Sequence, residues 1–141
     1  MSLDVGTKRI GIAVSDELGI TANGLQTLKR TDNKSDIKKL KNLCSELNVE
    51  KVIVGIPYNT DGQISKNGQV IKNFSEKLRK ELSLPVDYIN EAFTTMDAQQ
   101  YLLEANMSRK KRKKVIDKLS AVIMLQEYLE QMRENPKNAD S

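Results

Sequence analysis

The sequence predicts one α/β domain over residues 1–141, built on a five-stranded mixed sheet flanked by helices. Its first three strands are expected to be antiparallel, and its later strands parallel to the first. Three observations predict this. Residues 3–28 carry strand-like alternation and no helical stripe, so they read as a meander. From Ile37 the apolar spacing switches to the helical 3–4 residue period. Between the helical stretches lies Val52-Ile53-Val54, a continuous apolar run of the kind found in parallel strands buried on both faces.

Taken in order, Leu3–Val5 reads as a short strand that turns at Gly6-Thr7-Lys8. From Arg9 to Ser15, Ile10, Ile12 and Val14 point one way and Gly11 and Ala13 the other; the small side suits a helix packed closely against it. Residues 20–28 supply a third strand, bent at Asn23-Gly24. Ile37, Leu40, Leu43, Cys44 and Leu47 form a helical stripe with lysines and acids opposite. Ser35 is placed to cap its start and Asn48 to end it. Cys44 lies in that stripe and is read as core filler. Lys51–Gly55 is the fourth strand, and 57–68 a loop rich in Asn, Asp and Gly. Val70, Ile71, Phe74, Leu78 and Leu82 form a second stripe, and residues 85–89 the fifth strand. Thr94 and Asp97 form a capping-box signature for a helix carrying Ala98, Tyr101, Leu102 and Ala105. Ser108 is placed to cap a last helix through Val115, Leu119, Val122, Ile123 and Leu129, ending at Asn135-Pro136. The tail 136–141 is expected to fray.

Composition excludes several chemistries. The chain has no histidine, which removes Ser-His-Asp and Cys-His nucleophile systems and an imidazole base. A single cysteine forms no internal disulfide and no thiolate zinc cage. The start, Met1-Ser2-Leu3-Asp4, has no basic segment followed by an apolar one, and no window reaches membrane-spanning length, so a cytoplasmic protein is expected. The net charge is +4, and six of the 23 basic residues form one run, Arg109-Lys110-Lys111-Arg112-Lys113-Lys114. Without that run, 17 basic residues face 19 acidic ones, a net charge of −2. The basicity is therefore read as local. At a helix N-terminus these cations oppose the macrodipole, so the run is expected to contact phosphates. With four Tyr, two Phe and no Trp, recognition through backbone and shape fits better than base stacking.

Three acids stand out. Asp4 ends a hydrophobic strand just before Gly6, where a carboxylate is costly unless it is paired or binds a metal; capping the tight turn is the plainer role. Glu91 follows the fifth strand, and by spacing alone a solvated acid before a helix cap is the better reading. Asp117 lies in the last helix, with the small residues Ser120 and Ala121 one turn on leaving room for an ion; an exposed pair with Lys113 or Lys114 is the alternative.

The element order is that of the RNase H-like fold, and four segments carry a closer resemblance. The stretch Leu3-Asp4-Val5-Gly6-Thr7-Lys8-Arg9-Ile10-Gly11-Ile12-Ala13-Val14-Ser15-Asp16 resembles the opening signature of the YqgF family of RNase H-like nucleases. Val54-Gly55-Ile56-Pro57 with Asp61-Gly62 resembles its central strand and loop. Glu91-Ala92-Phe93-Thr94-Thr95 stands where that family carries Asp-Glu-Arg-Leu-Thr-Thr. Val115-Ile116-Asp117-Lys118-Leu119-Ser120-Ala121 resembles its C-terminal acid followed by small residues. The matches run in order through nearly the whole chain.

The resemblance implies a metal-dependent endonuclease with Asp4, Glu91 and Asp117 as catalytic acids and ligands of Mg²⁺ or Mn²⁺, two ions when substrate is bound. Lys8, Arg9 and the run Arg109, Lys110, Lys111, Arg112, Lys113 and Lys114 are expected to bind substrate. The implied partner is nucleic acid, precursor rRNA before branched DNA, in a monomer or weak dimer associated with ribosomal precursor particles. The favoured role is 5′-end processing of precursor 16S rRNA. Holliday junction resolution, suggested by the family's likeness to RuvC, is the second reading, and a non-catalytic nucleic-acid-binding module the third. Asp-x-Gly-Thr before a hairpin also opens actin- and hexokinase-like ATPases, but those need two such domains. Two departures from the motif remove an acid at Asn90 and a cation at Ala92. Only three residues precede Asp4, which shortens the first strand relative to the family.

Overall fold

The computed structural model describes residues 1–91 and 109–134, with the side chains of 109–118 and 133–134 outside the description. In chain order the elements are β1 (Ser2–Val5), β2 (Arg9–Ser15), β3 (Ala22–Gly24), β4 (Leu28–Lys29), α1 (Asn33–Glu46), β5 (Val52–Ile56), α2 (Lys66–Leu82), β6 (Val86–Asn90) and α3 (Arg109–Glu134). The sheet order is β3-β2-β1-β5-β6, with β4 also on β2. β1 pairs antiparallel with β2 and parallel with β5, which pairs parallel with β6. This is the mixed α/β sheet expected, with β1 central.

The expected third strand is two. Pairing with β2 stops at Gly24 and resumes at Leu28, so among the described residues the sheet has six strands where five were expected. The bend at Asn23-Gly24 interrupts the ladder, and Leu25 N–H still donates to Ile12 O at 2.8 Å.

The two faces of the sheet differ as the alternation of β2 requires. Leu3, Val5, Ile10, Ile12, Val52, Val54 and Ile56 face α1 and α2, meeting Ile37, Leu40, Cys44, Ile71, Phe74 and Leu78 in the larger core. Ala13 and Ile53 face α3, meeting Ala121 and Leu125. The small side of β2 thus takes the close helix. The buried face of α3 runs through Ser120, Ala121, Met124 and Leu125, whereas Leu119, Val122, Ile123 and Leu129 are only partly buried. The stripe drawn through Val115, Leu119, Val122, Ile123 and Leu129 misses this face, which combines the small Ser120 and Ala121 with the fully buried Met124 and Leu125.

Three local expectations shift. The cap of α1 is Asp32, not Ser35: its carboxylate accepts from Ser35 N–H at 2.9 Å and Ser35 Oγ–H at 3.0 Å. Asn48 does end that helix, in the left-handed region at φ 54°. The loop after β5 closes before residue 66, where Ser65 Oγ accepts from Gly68 N–H at 2.9 Å. Gly68 sits in the first turn of α2, where a Cβ would lie 2.5 Å from Pro57 O. Val70 is 62% exposed and leaves the second stripe. Cys44 is buried, and burial raises its thiol above the ordinary value, as suits core filler. The helix expected from Thr94, the Ser108 cap and the tail 136–141 lie outside the described residues. No described helix is long and apolar enough to cross a membrane.

Candidate metal and nucleic-acid site

Asp4 lies near the C-terminal end of β1, where ligands collect in open parallel sheets. It is 5% exposed. Strand alternation puts it on the same side as Ser2, whose Oγ–H donates to Ala121 O of α3 at 2.6 Å. Its partner on β2 is Gly11. On the other side the β1–β5 register pairs Leu3 with Val54, so the next position along β5 beside Asp4 is Gly55. Asp4 therefore stands between two strands that carry no side chain next to it. Its turn is tight: Gly6 N–H donates to Arg9 O at 2.9 Å, and a Cβ on Gly6 would lie 2.8 Å from that oxygen.

Glu91 reaches the same face from the end of β6. Its N–H donates to Ile56 O at 3.1 Å, which fixes the residue just beyond the strand. A Cβ built on Gly55 would lie 3.3 Å from Glu91 Cβ and Cγ and 2.6 Å from Met124 Sδ. Glu91 and Met124 thus lie over the bare surface of Gly55, on the α3 side. β6 is two strands from β1, about 10 Å at ordinary strand spacing. The absent side chain at 55 makes that gap crossable.

Asp117 contributes its backbone position only, its side chain being outside the description. It precedes Ala121 by one turn, about 6 Å along the axis. The C-terminal half of α3 meets the opposite end of the sheet: Tyr128 OH bonds Lys51 Nζ at 2.8 Å, and Leu129 approaches Gly19. The N-terminal half, with Asp117, therefore lies toward the Asp4 end. Ser120, on the same helix, is 1% exposed, and its Oγ has no hydrogen-bond partner among the described residues. No group of three potential metal-ligating side chains occurs among the described residues, to which the Asp117 side chain does not belong.

Among the candidate cations, Arg9 alternates with Gly11 onto the face of Asp4, and Lys8 is exposed in the turn. The run Arg109–Lys114 forms the start of α3, with no acid in its first turn. Asn90 is the last residue of β6; Ala92 lies outside the described residues.

Sequence reasoning missed the support beneath this site. Asp36, expected on the outward face of α1, is 0% exposed. Its carboxylate accepts from Thr31 N–H at 3.1 Å, Thr31 Oγ–H at 3.2 Å and Arg30 Nε–H at 3.3 Å. Arg30 also donates to Gly6 O at 3.0 Å and lies 4.9 Å from the Phe74 ring centre. The pair ties α1 to the turn that follows Asp4. Only Arg30, in the segment before α1, could have hinted at a partner for a buried acid. At the opposite end of the sheet, Lys51, Asp87 and Tyr128 close a second network, Lys51 Nζ lying 3.1 Å from Asp87 and Tyr128 OH 2.9 Å from it.

Comparison with known proteins agrees with this architecture. A family model described as "RuvX: Holliday junction resolvase" matches residues 1–131. Proteins named "Putative pre-16S rRNA nuclease" are 45% identical over 130 residues in Clostridium novyi, covering 92% of this chain and 96% of the relative. The Clostridioides difficile relative is 46% identical over 130 residues, covering 92% of each. That of Thermoanaerobacter pseudethanolicus is 46% identical over 134 residues, covering 94% and 96%. Among solved structures, Thermus thermophilus RuvC in complex with a Holliday junction substrate superposes with TM-score 0.59 at 12% identity, covering 94% of each chain. That likeness shows a shared RNase H-like fold. The sequence relatives show more, and the chain belongs to the RuvX family.

Proposed function

We propose that the protein is a metal-dependent endonuclease that hydrolyses phosphodiester bonds in structured RNA, with 5′-end processing of precursor 16S rRNA as its role. The observation that carries this reading is buried Asp4 between Gly11 and Gly55, with Glu91 lying over Gly55 on the same face. The names of the closely similar relatives support the RNA substrate.

Asp4, Glu91 and Asp117 are the residues that would hold Mg²⁺ or Mn²⁺. The donor chemistry fits: carboxylate oxygens suit these hard cations, and Gly55 lets the Glu91 side chain pack over the strand next to Asp4. The Ser120 Oγ, unpartnered among the described residues, adds a further oxygen on the helix that carries Asp117. Such ions supply an activated water and charge relief for the leaving oxygen, so a chain without histidine needs no imidazole base. The protein's own groups do the rest. β1 holds the Asp4 carboxylate against rigid sheet, and the missing side chain at Gly55 lets Glu91 come over the strand beside it. Arg9, Lys8 and the run Arg109–Lys114 offset phosphate charge, which carboxylates alone would repel. Asn90, which the β5–β6 register pairs with Ile56 on the α1–α2 face, adds no ligand on the side of Asp4 and Glu91. The pattern predicts activity at millimolar Mn²⁺ and a weaker response to Mg²⁺, which demands stricter octahedral geometry.

A second reading, cleavage of branched DNA, is favoured by the family description and by the fold shared with RuvC. Purified protein with Mn²⁺ is offered labelled precursor 16S rRNA and a labelled four-way DNA junction. Cutting of the RNA near the mature 5′ end, with the junction intact, is the expected outcome; symmetrical junction cutting selects the second reading. Binding without cleavage of either would leave the RNase H-like module as a nucleic-acid-binding domain.

A further inference from the structure

Sequence order put the basic residues in one run, but folding makes a second cationic surface on the far side of the sheet. Lys34, Lys38 and Lys41 of α1 and Lys77 and Lys80 of α2 line one groove of about 450 Å³, accompanied by a single acid, Glu81. All five lysines are exposed, and the buried Ile37 lies among them. Lys34 and Lys38 are four apart; Lys38 and Lys41, and Lys77 and Lys80, are three apart. Like charges at those spacings repel and lower helix stability. Packing does not require them either, because the apolar faces of α1 and α2 are already buried against the sheet. Five exposed lysines lining one open groove form a local positive potential suited to a polyanion.

We propose that this groove binds the phosphodiester backbone of a second segment of the RNA substrate, separate from the segment that is cut. The inference rests on the nuclease reading for the identity of the polyanion. α1 and α2 cover the sheet face opposite to α3, Asp4 and Glu91, so a short duplex in the site cannot reach them. A folded precursor with an additional arm can. The groove then selects large structured RNA over short fragments without reading sequence, since lysine contacts to phosphate carry none.

The test compares wild type with Lys38→Glu/Lys77→Glu/Lys80→Glu and its neutral counterpart Lys38→Gln/Lys77→Gln/Lys80→Gln. Each is measured on a long precursor rRNA and on a short duplex spanning the cleavage position. Dissociation constants are followed against salt. On the long RNA the logarithmic salt slope of the neutral variant is expected to fall by about 2–3, from 0.7–0.9 per lost contact. On the short duplex both slope and cleavage rate stay at wild-type values, and thermal melting shows the variants folded. An unchanged slope on the long RNA overturns the proposal, as does an equal fall on both RNAs. Wild type that binds with the expected slope difference yet never cleaves refutes the nuclease reading and leaves the groove standing. Wild type that cleaves while the slopes coincide removes the groove alone.

Discussion

Gly55→Ala tests the geometry of the site with one carbon atom. The new methyl would lie 2.6 Å from Met124 Sδ and 3.3 Å from Glu91 Cβ and Cγ. The thioether must retreat by roughly 1 Å to reach ordinary contact, which a flexible Met side chain does at modest cost. Overpacking of this kind costs about 1–3 kcal/mol, and the reduced freedom of the unfolded chain returns about 0.4–1. The net is about 1–2 kcal/mol, a fall in Tm of roughly 3–8 °C for a chain of this size. The effect on catalysis should be larger than that stability loss implies. Displacing a catalytic carboxylate by a fraction of an ångström to 1 Å costs up to about 100-fold in rate. Cleavage of labelled RNA at saturating Mn²⁺ and thermal melting are measured on Gly55→Ala, Met124→Ala and the double variant. Met124→Ala removes the worst clash, so the double variant should be more stable than additivity allows, by about 1 kcal/mol. Its cleavage should stay low, because the contact with Glu91 remains. Wild-type cleavage by Gly55→Ala, with strict additivity in Tm, would mean that neither side chain lies over Gly55.

Two further outcomes concern stability. Asp36→Ala leaves the mostly buried Arg30 without its carboxylate and frees the Gly6 turn, so a loss of about 3 kcal/mol is expected in denaturant unfolding; a loss below about 1 would mean that the pair is not structural. Acid should unfold the protein through groups outside the site. Backbone N–H donors hold Asp16 and Asp32 below the ordinary carboxyl value, and the Tyr88 hydroxyl with Arg79 does the same for Glu76. Because these folded values are depressed, their contribution is complete above about pH 4 and is lost as pH falls through the lower folded values. Asp32→Ala should accordingly flatten the acid limb of a stability-versus-pH curve; an unchanged limb would remove Asp32 from this account.

Period-2 alternation from Arg9 to Ser15 revealed both faces of β2 and the need for a close helix, because each residue there reports directly on the face it occupies. The partner face of α3 was legible only in part: Ser120 and Ala121 beside Asp117 read as room for an ion and for another element to come close. Ser120 and Ala121 carry little hydrophobic signal, and the contact is set by Gly11, Ala13 and Gly55 from strands far away in sequence. Asp36 looked outward for a similar reason: its partner Arg30 lies before the helix, and only the fold brings them together. The charge reading saw only one dimension. A run such as Arg109–Lys114 is visible in one dimension, whereas Lys34, Lys38, Lys41, Lys77 and Lys80 meet only when two helices are laid side by side. At the site, a glycine ending the buried run Val52-Ile53-Val54 is itself a signal of close approach. What crosses it could be learned only from the register.

The most direct measurement is cleavage of labelled precursor 16S rRNA by wild type and by Asp4→Asn, purified identically and assayed with millimolar Mn²⁺ and with chelator. Wild type should cut with Mn²⁺ and stop with chelator. Asp4→Asn should bind the RNA with a wild-type salt slope and cut it at least about 100-fold more slowly. Equal cleavage by the two proteins would contradict the account, since the activity would then owe nothing to the carboxylate on β1.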